Sequence, residues 1–191
     1  MYRRMKKRFV YAAMLCMLLS LMVNGTLAYF TADGTARNVI TSGGIDIQVV
    51  EQQMVGGTLQ PYPNEAISIM PGSKISKIVS VENQDEPAWV RMTYTVTVLD
   101  ADGKSVDLPA GIVLIDTDTA NWTYKDGWWY YNKSLATGAE TAPLFTEVRF
   151  SGPEMGNAYQ NCTVLIDVSA QAVQKANNGA TVMDAAGWPE A

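Results

Sequence analysis

Histidine is absent from this chain, and cysteine occurs only twice among its 191 residues, at positions 16 and 162. Without an imidazole the chain lacks the usual general base and the usual zinc ligand, which excludes Ser-His and Cys-His nucleophile arrangements. A glycine-rich phosphate-binding loop is missing as well. The sequence therefore predicts no catalytic residue, no metal site and no cofactor, and we expect a protein that is not an enzyme.

The first 28 residues have the composition of a signal peptide. Five cations precede an apolar run from Phe9 to Val23, which is the order of a signal's basic and hydrophobic regions. As a helix this run would extend only about 22 Å, short of a hydrocarbon core of about 30 Å. Thr26 and Ala28 are small residues at the positions that a signal peptidase inspects, which predicts cleavage before Tyr29. An uncleaved membrane anchor is the alternative.

The predicted mature chain is acidic. Residues 1 to 28 hold five of the fourteen cations and none of the nineteen acids, so their removal leaves nine cations against nineteen acids, a net charge of −10. Such a charge disfavours nucleic acid and anionic membranes as partners. The membrane is then a partner only through the signal segment before cleavage. Cys162 becomes the only cysteine, which excludes an intramolecular disulfide, and its apolar surroundings predict a buried side chain.

Alternation of apolar and polar residues predicts β-strands along the chain past residue 40. In the stretch from Ala88 to Asp100, Val90 and Met92 begin an apolar face, and Arg91 begins a face predicted to meet water. Eight or nine short strands separated by turn residues predict an all-β fold, an antiparallel β-sandwich of jelly-roll or immunoglobulin-like type. The only predicted helix is a short one near Ala170 to Asn177.

The chain divides into four parts on this interpretation. These are a signal peptide (1–28), an extended N-terminal arm with its hinge (29–43), a β-sandwich domain (44–176) and a C-terminal tail (177–191). Residues Ile45, Ile47 and Val49 begin the sandwich. We expect the tail to be loosely held, with Trp188 as its one candidate anchor.

A run of aromatic residues is the first candidate binding surface. The strand Trp128, Trp129, Tyr130 and Tyr131 follows a predicted hairpin turn at Lys125-Asp126-Gly127. Successive side chains alternate between faces, so one pair can enter the core while the other needs a cover or a ligand. Cross-strand packing against Trp122 and Tyr124 is favoured over a binding face.

Acidic pairs are the second candidate. Asp100 and Asp102 stand in an Asp-Ala-Asp-Gly turn that resembles half a calcium loop. The glycine is fourth rather than sixth and no glutamate stands twelfth, so a solvated polar turn is the favoured interpretation over weak calcium binding. Asp116 and Asp118 are predicted to share a strand face.

Two stretches carry a resemblance to a known group of proteins. The segments GTLAYFTADGTARNVITSGGIDIQV and ISIMPGSKISKIVSVENQDEPAWVRM, after a basic start, resemble the TasA/camelysin family of exported proteins of Gram-positive bacteria. They cover the first half of the chain, and the second half is similar to clostridial members more loosely. The resemblance implies processing by a SipW-dependent type of signal peptidase and a jelly-roll sandwich that is secreted to the cell surface or the biofilm matrix.

The resemblance also implies a role for the arm. In TasA-like fibres the mature N-terminal segment of one subunit is donated as a strand to the next. Carried over, the arm is about residues 29 to 41, its apolar anchors are Tyr29, Phe30, Val39 and Ile40, and residues 42 to 44 form its hinge. Strand addition of this kind gives main-chain affinity, and a head-to-tail contact that does not close builds filaments. The alternative is an arm that folds back on its own sheet or simply frays.

The leading hypothesis is a secreted structural or adhesive protein of the cell surface or biofilm matrix that associates with itself or with related matrix subunits. One alternative is a carbohydrate-binding surface module that uses Trp128 to Tyr131. A camelysin-like surface metalloprotease is the second alternative, which the absence of histidine disfavours.

Overall fold

Two β-sheets pack face to face around an apolar core in the computed structural model, which describes residues 30–33, 37–41, 45–63, 67–156, 159 and 161–189. For residues 30–33, 37–41 and 67–69 the description covers the backbone alone. In chain order the strands are β1 Phe30–Asp33, β2 Arg37–Thr41, β3 Ile47–Val55, β4 Thr58–Pro61, β5 Ile67–Ile69, β6 Lys74–Asn83, β7 Ala88–Leu99, β8 Ser105–Val106, β9 Val113–Ile115, β10 Trp122–Lys125, β11 Trp128–Tyr131, β12 Phe145–Phe150 and β13 Thr163–Gln174.

The sandwich consists of a larger sheet A and a smaller sheet B. Sheet A has the order β10-β11-β7-β13-β1-β5, with β2 also paired to β13 and β8 paired to β7. Sheet B has the order β4-β3-β6-β12-β9. The longest pairing joins β7 and β13, which run antiparallel from Ala88 to Leu99 against Gln174 to Thr163. The predicted all-β sandwich is confirmed.

The core follows the predicted alternation. Ile45, Ile47 and Val49 are buried on β3 and just before it, and Val90 and Met92 are buried on β7. Across the space between the sheets, the ring of Tyr94 meets that of Phe145 edge to face with 5.5 Å between centroids. Aromatic pairs of this geometry stabilise a core beyond the area that they bury.

The arm contributes two strands, and both lie on the chain's own sheet A. Strand β1 pairs in parallel with β13, from Thr31 opposite Thr163, and antiparallel with β5. Strand β2 also pairs in parallel with β13, from Arg37 opposite Val168. In this single chain the arm therefore adopts the alternative arrangement, folded back on its own sheet. The predicted anchors Phe30, Val39 and Ile40 lie in these strands, with side chains outside the description.

The other N-terminal predictions lie outside the described residues. They are the cleavage positions Thr26, Ala28 and Tyr29, and the hinge at residues 42 to 44. Within the described ranges, no helix is long and apolar enough to cross a membrane.

The predicted helix near Ala170 to Asn177 is wrong. Strand β13 continues to Gln174, and Ala170, Ala172 and Val173 are buried along it. Alanine and glutamine favour helices, but pairing with β7 along the whole strand overrides that local preference.

The outer face of β7 also differs from the prediction. Trp89 on this face is buried, and Arg91 is only partly exposed, because the segment after β13 crosses over them. That segment includes a 3₁₀ turn at Val182–Asp184, in which Val182 is buried. The C-terminal tail is thus packed on sheet A, and Trp188 is one of the side chains that pack there.

Candidate functional site

The edge of β13 that the arm covers is the first candidate site. Along its other edge β13 is paired with β7 over its full length, while β1 and β2 cover residues 163–165 and 168–172 of the arm-facing edge. Asp33 lies opposite Leu165 and Arg37 opposite Val168, so four steps along the arm match three along β13. Without the arm, β13 would present an edge of unpaired N–H and C=O groups.

The side chains of β13 show that the strand belongs to the core, so its backbone edge must be paired. On β13, Val164, Ile166, Val168 and Ala170 are all buried in the main core. In the order of sheet A, β13 stands between β7 and β1, so it is a central strand. Any chain segment that completes this edge therefore stabilises a central strand.

A buried ion pair lies within the sandwich and is the second candidate site. Nζ of Lys77 on β6 lies 3.1 Å from Oε1 of Glu51 on β3, and the two side chains are 1% and 3% exposed. The same ammonium group lies 3.8 Å from the centre of the Tyr62 ring. Burial, with a smaller contribution from the Glu51 carboxylate, raises the pKa of Tyr62 to about 12. These groups hold one another in place, and the sequence patterns did not predict them.

The aromatic strand β11 packs on both of its faces. On the core side, the Trp122 and Tyr131 rings are 5.0 Å apart. On the same face, the Trp129 ring lies 4.9 Å from that of Tyr124, which is exposed. These are the cross-strand pairs that the sequence favoured. The turn between β10 and β11 has positive φ at both Asp126 (49°) and Gly127 (86°), as a two-residue type I′ hairpin requires.

The other pair of β11, Trp128 and Tyr130, meets the C-terminal tail. The Arg91 guanidinium carbon lies 4.3 Å from the ring centre of Trp128 and 4.6 Å from that of Trp188. Arg91 also donates hydrogen bonds to Gln171 Oε1, at 2.9 Å from Nε and 2.6 Å from Nη2, and one of 3.0 Å to the Tyr130 hydroxyl. The predicted cover is therefore the tail itself.

Hydrogen bonds between side chains and the backbone hold this tail in place. Nε1 of Trp89 donates to the carbonyl of Asn178 at 2.7 Å. The Asn178 amide group accepts from the backbone N–H of Ala186 at 2.9 Å and donates to its carbonyl at 3.0 Å. These bonds close residues 178 to 186 into a loop that lies over the aromatic cluster.

The acidic pairs accept hydrogen bonds from backbone N–H groups and so stabilise turns. Oδ1 of Asp100 accepts from the N–H groups of Asp102 and Lys104, both at 2.9 Å. Strand β9 ends before Asp116, so Asp116 and Asp118 share no strand face, and that prediction is wrong. Asp116 accepts instead from the N–H groups of Thr146 and Glu147. A hydrogen bond from the side chain of Asn121 is the main cause that lowers the pKa of Asp118.

Side chains that could hold a metal ion do not converge in the part of the chain that the structure describes. It contains no group of three or more His, Cys, Asp and Glu side chains placed for that purpose. Cys162 is buried, as the sequence predicted. Burial, with a smaller contribution from Asp100, raises the pKa of its thiol, which disfavours the reactive thiolate form.

No protein-family model, curated protein or solved structure matches this chain. Among the candidate sites, the β13 edge is the one that is completed by a separate segment of the chain, the N-terminal arm. The aromatic strand, the ion pair and the acidic turns all have structural roles in the arrangement described above.

Proposed function

We propose that the mature chain is a secreted structural protein of a Gram-positive cell surface or biofilm matrix, which assembles with its own copies by donating its N-terminal arm. The observation that carries this proposal is the place of the arm. Strands β1 and β2 pair in parallel with residues 163–165 and 168–172 on one edge of the central strand β13.

Exchange of the arm requires no new contact. The same strand pairs that close the edge within one chain can form between two chains, which is the basis of domain swapping. A chain that donates its arm leaves its own β13 edge open for the arm of a neighbour. Because the donating and accepting surfaces differ, the contact is head to tail and extends into a filament unless the rotation closes it.

The proposal assigns the chain no enzymatic activity and no cofactor. The carbohydrate-binding alternative gains no specific support, because the rings of β11 pack against the core on one face and against the tail on the other. The metalloprotease alternative likewise has no cluster of ligands in the described residues that favours it.

A register-specific disulfide tests the proposal. Asn38 lies opposite Ser169 across the β2–β13 pair, and neighbouring strands bring Cα atoms within the range that a disulfide spans. We expect the mature Asn38→Cys, Ser169→Cys variant, oxidised under assembly conditions, to give a ladder of covalent oligomers on a non-reducing gel. Cys162 is retained because it is buried.

The controls separate donation from simple folding. The Ser169→Cys single variant should give no ladder, since it lacks the arm cysteine, and deletion of residues 29 to 41 should abolish filaments in electron micrographs. A double variant that is cross-linked only within each chain, in samples that nevertheless contain filaments, would exclude arm donation as the assembly contact.

A further inference from the structure

Exposed apolar side chains are concentrated at one end of the sandwich. Six large apolar side chains in the described residues are between 45% and 59% exposed. Tyr124 lies on the edge strand β10, but the other five share one end, which we call the apolar end. They are Met54, Val55, Leu59, Met70 and Leu114.

Strand register brings these five residues together. The N–H of Met54 donates to Oγ of Ser76 at 2.9 Å, which places the end of β3 beside the start of β6. Leu59 lies opposite Met54 on β4. Met70 belongs to the turn that leads into β6, where its carbonyl accepts from the N–H of Ser73 at 2.9 Å.

The far side of sheet B reaches the same end. Arg149 of β12 lies opposite Lys74, the first residue of β6. On the next strand, Leu114 lies opposite Arg149. The exposed row therefore runs across sheet B from the apolar β3–β4 hairpin, past Lys74 and Arg149, to Leu114 at the other edge.

The N-terminal segment enters the sandwich at this end. Phe30, the first residue of β1, lies opposite Ile69, the residue before Met70. The chain that precedes Phe30 thus joins the body beside the apolar end. The opposite end, where β6 meets β7, instead exposes the polar side chains Asp46, Gln48, Gln84 and Glu86.

We propose that the apolar end is a docking surface for the lipid interface, used while the signal segment is still attached. Six residues separate Val23, the end of the apolar run, from Phe30, and the seven Cα-to-Cα steps between them span at most about 25 Å. An apolar run shorter than the hydrocarbon core draws its flanking residues toward the interface. The apolar end is therefore the part of the body that faces the membrane.

The exposed cations at this end can contact a lipid interface, but they do not form a binding site for anions. The side chains of Lys74 and Arg149 are 69% and 64% exposed and can reach headgroup phosphates. Glu147 contacts both of them, so apolar contact is the main attraction. An acidic body with few apolar contacts binds lipid only while a tether supplies the effective concentration, and cleavage after Ala28 releases it.

Depth-dependent fluorescence on the full chain tests this docking. A Leu59→Cys variant, in a Cys16→Ser background, carries a nitrobenzoxadiazole label and is reconstituted in vesicles of phosphatidylcholine and phosphatidylglycerol. The matched control carries the label at Gln84→Cys, an exposed site at the opposite end. We expect a blue-shifted emission at position 59 and quenching by nitroxide-labelled lipids several-fold stronger than at position 84. Equal emission and quenching at the two positions would overturn the proposal.

Two further measurements separate lipid from a second copy of the chain as the occupant. The shift at position 59 should persist when the protein is diluted to one chain per vesicle, and loss of the shift on dilution would assign the surface to a second copy. With the label moved to Leu114→Cys, the Met54→Gln, Leu59→Gln pair should weaken its quenching several-fold, and the exposed Tyr124→Gln control should not. Equal effects of the pair and the control would also overturn the proposal.

Discussion

Lys77 and Glu51 place two opposite charges inside an apolar sandwich, where neither has bulk water to solvate it. The side chains are almost fully buried and their charged atoms are 3.1 Å apart. Removal of one member of such a pair leaves an uncompensated charge, which costs about 3–5 kcal/mol of stability. We expect Lys77→Met to lower the free energy of unfolding, measured by chemical denaturation, by about that amount.

Lys74→Met is the matched control for that substitution. Lys74 stands on the same strand and also meets a carboxylate, Glu147 at 2.9 Å, but its side chain is 69% exposed. Exposed pairs contribute little because water and salt screen them. An equal loss of stability in the two variants would contradict the role assigned to burial.

Tyr62 makes a separate prediction about alkaline pH. Its pKa is raised to about 12 in the folded state, against about 10 in an unfolded chain. Between these values the folded state binds more protons than the unfolded state, so stability falls as pH rises through that window. Two pKa units correspond to a loss of about 2 to 3 kcal/mol, which denaturation at about pH 9 and about pH 12 should detect.

The Tyr62→Phe variant isolates this contribution. Phenylalanine keeps the ring beside Lys77 and has no proton to lose. The loss of stability at alkaline pH should therefore be smaller by the amount that Tyr62 contributes. Parallel pH profiles for the two proteins would show that Tyr62 does not titrate in this window.

Residue positions were more predictable from the sequence than residue partners. Alternation on β7 located the buried Val90 and Met92, because the period of a strand is a local property. It says nothing about which strand lies alongside, so the meeting of Lys77 with Glu51 could not be predicted. The exposure of Arg91 was misjudged for the same reason, since the residues that cover it are far along the chain.

At the scale of elements, the C-terminal tail depends on one glycine. Gly179 has a φ of +67°, and a Cβ built there would lie 2.8 Å from the backbone carbonyl carbon of Asp184. The left-handed conformation alone costs a residue with a side chain about 1–2 kcal/mol. We expect Gly179→Ala to lose more than that, because the clash is with backbone, and to expose Trp89 to solvent in its fluorescence spectrum.

Substitutions at two other glycines distinguish the effect of the Cβ clash from the effect of the positive φ. Gly187 also has a positive φ, of +77°, but a Cβ added there would meet no atom within 4 Å, and Gly156 has neither restriction. Stability should therefore decrease in the order Gly156→Ala, Gly187→Ala, Gly179→Ala. A Gly179→Ala variant as stable as Gly156→Ala would show that the tail can shift without cost.

Elements with local signals were predicted correctly, and those that depend on distant packing were not. The β10–β11 hairpin follows from Asp126-Gly127, whose positive φ values are a property of the turn itself. The end of β13 was mistaken for a helix because its alanines become strand residues only against β7. The same limit applies to the tail, whose Trp188 contacts Arg91 and Tyr130, residues that are far from it in the sequence.

At the scale of the whole molecule, charge opposes the proposed assembly. Each subunit of the proposed mature form has nine cations against nineteen acids, so subunits in the proposed filament would repel one another. That repulsion is screened over about 10 Å at 0.1 M salt and about 3 Å at 1 M. It also weakens as carboxylates become protonated near their usual pKa values of about 4. The arm must therefore provide enough strand pairing to overcome a repulsion that solution conditions can reduce.

We expect filament growth of the mature chain to be slow at neutral pH and low salt, and to accelerate when salt is added or the pH is lowered toward about 4 to 5. Light scattering with electron microscopy of the end product measures the rate and distinguishes filaments from amorphous aggregates. In a chain without residues 29 to 41, salt and low pH reduce the repulsion in the same way, but the chain has no strand to donate. It should therefore stay free of filaments under every condition. Filaments of that truncated chain, or growth that ignores both salt and pH, would show that assembly uses another contact.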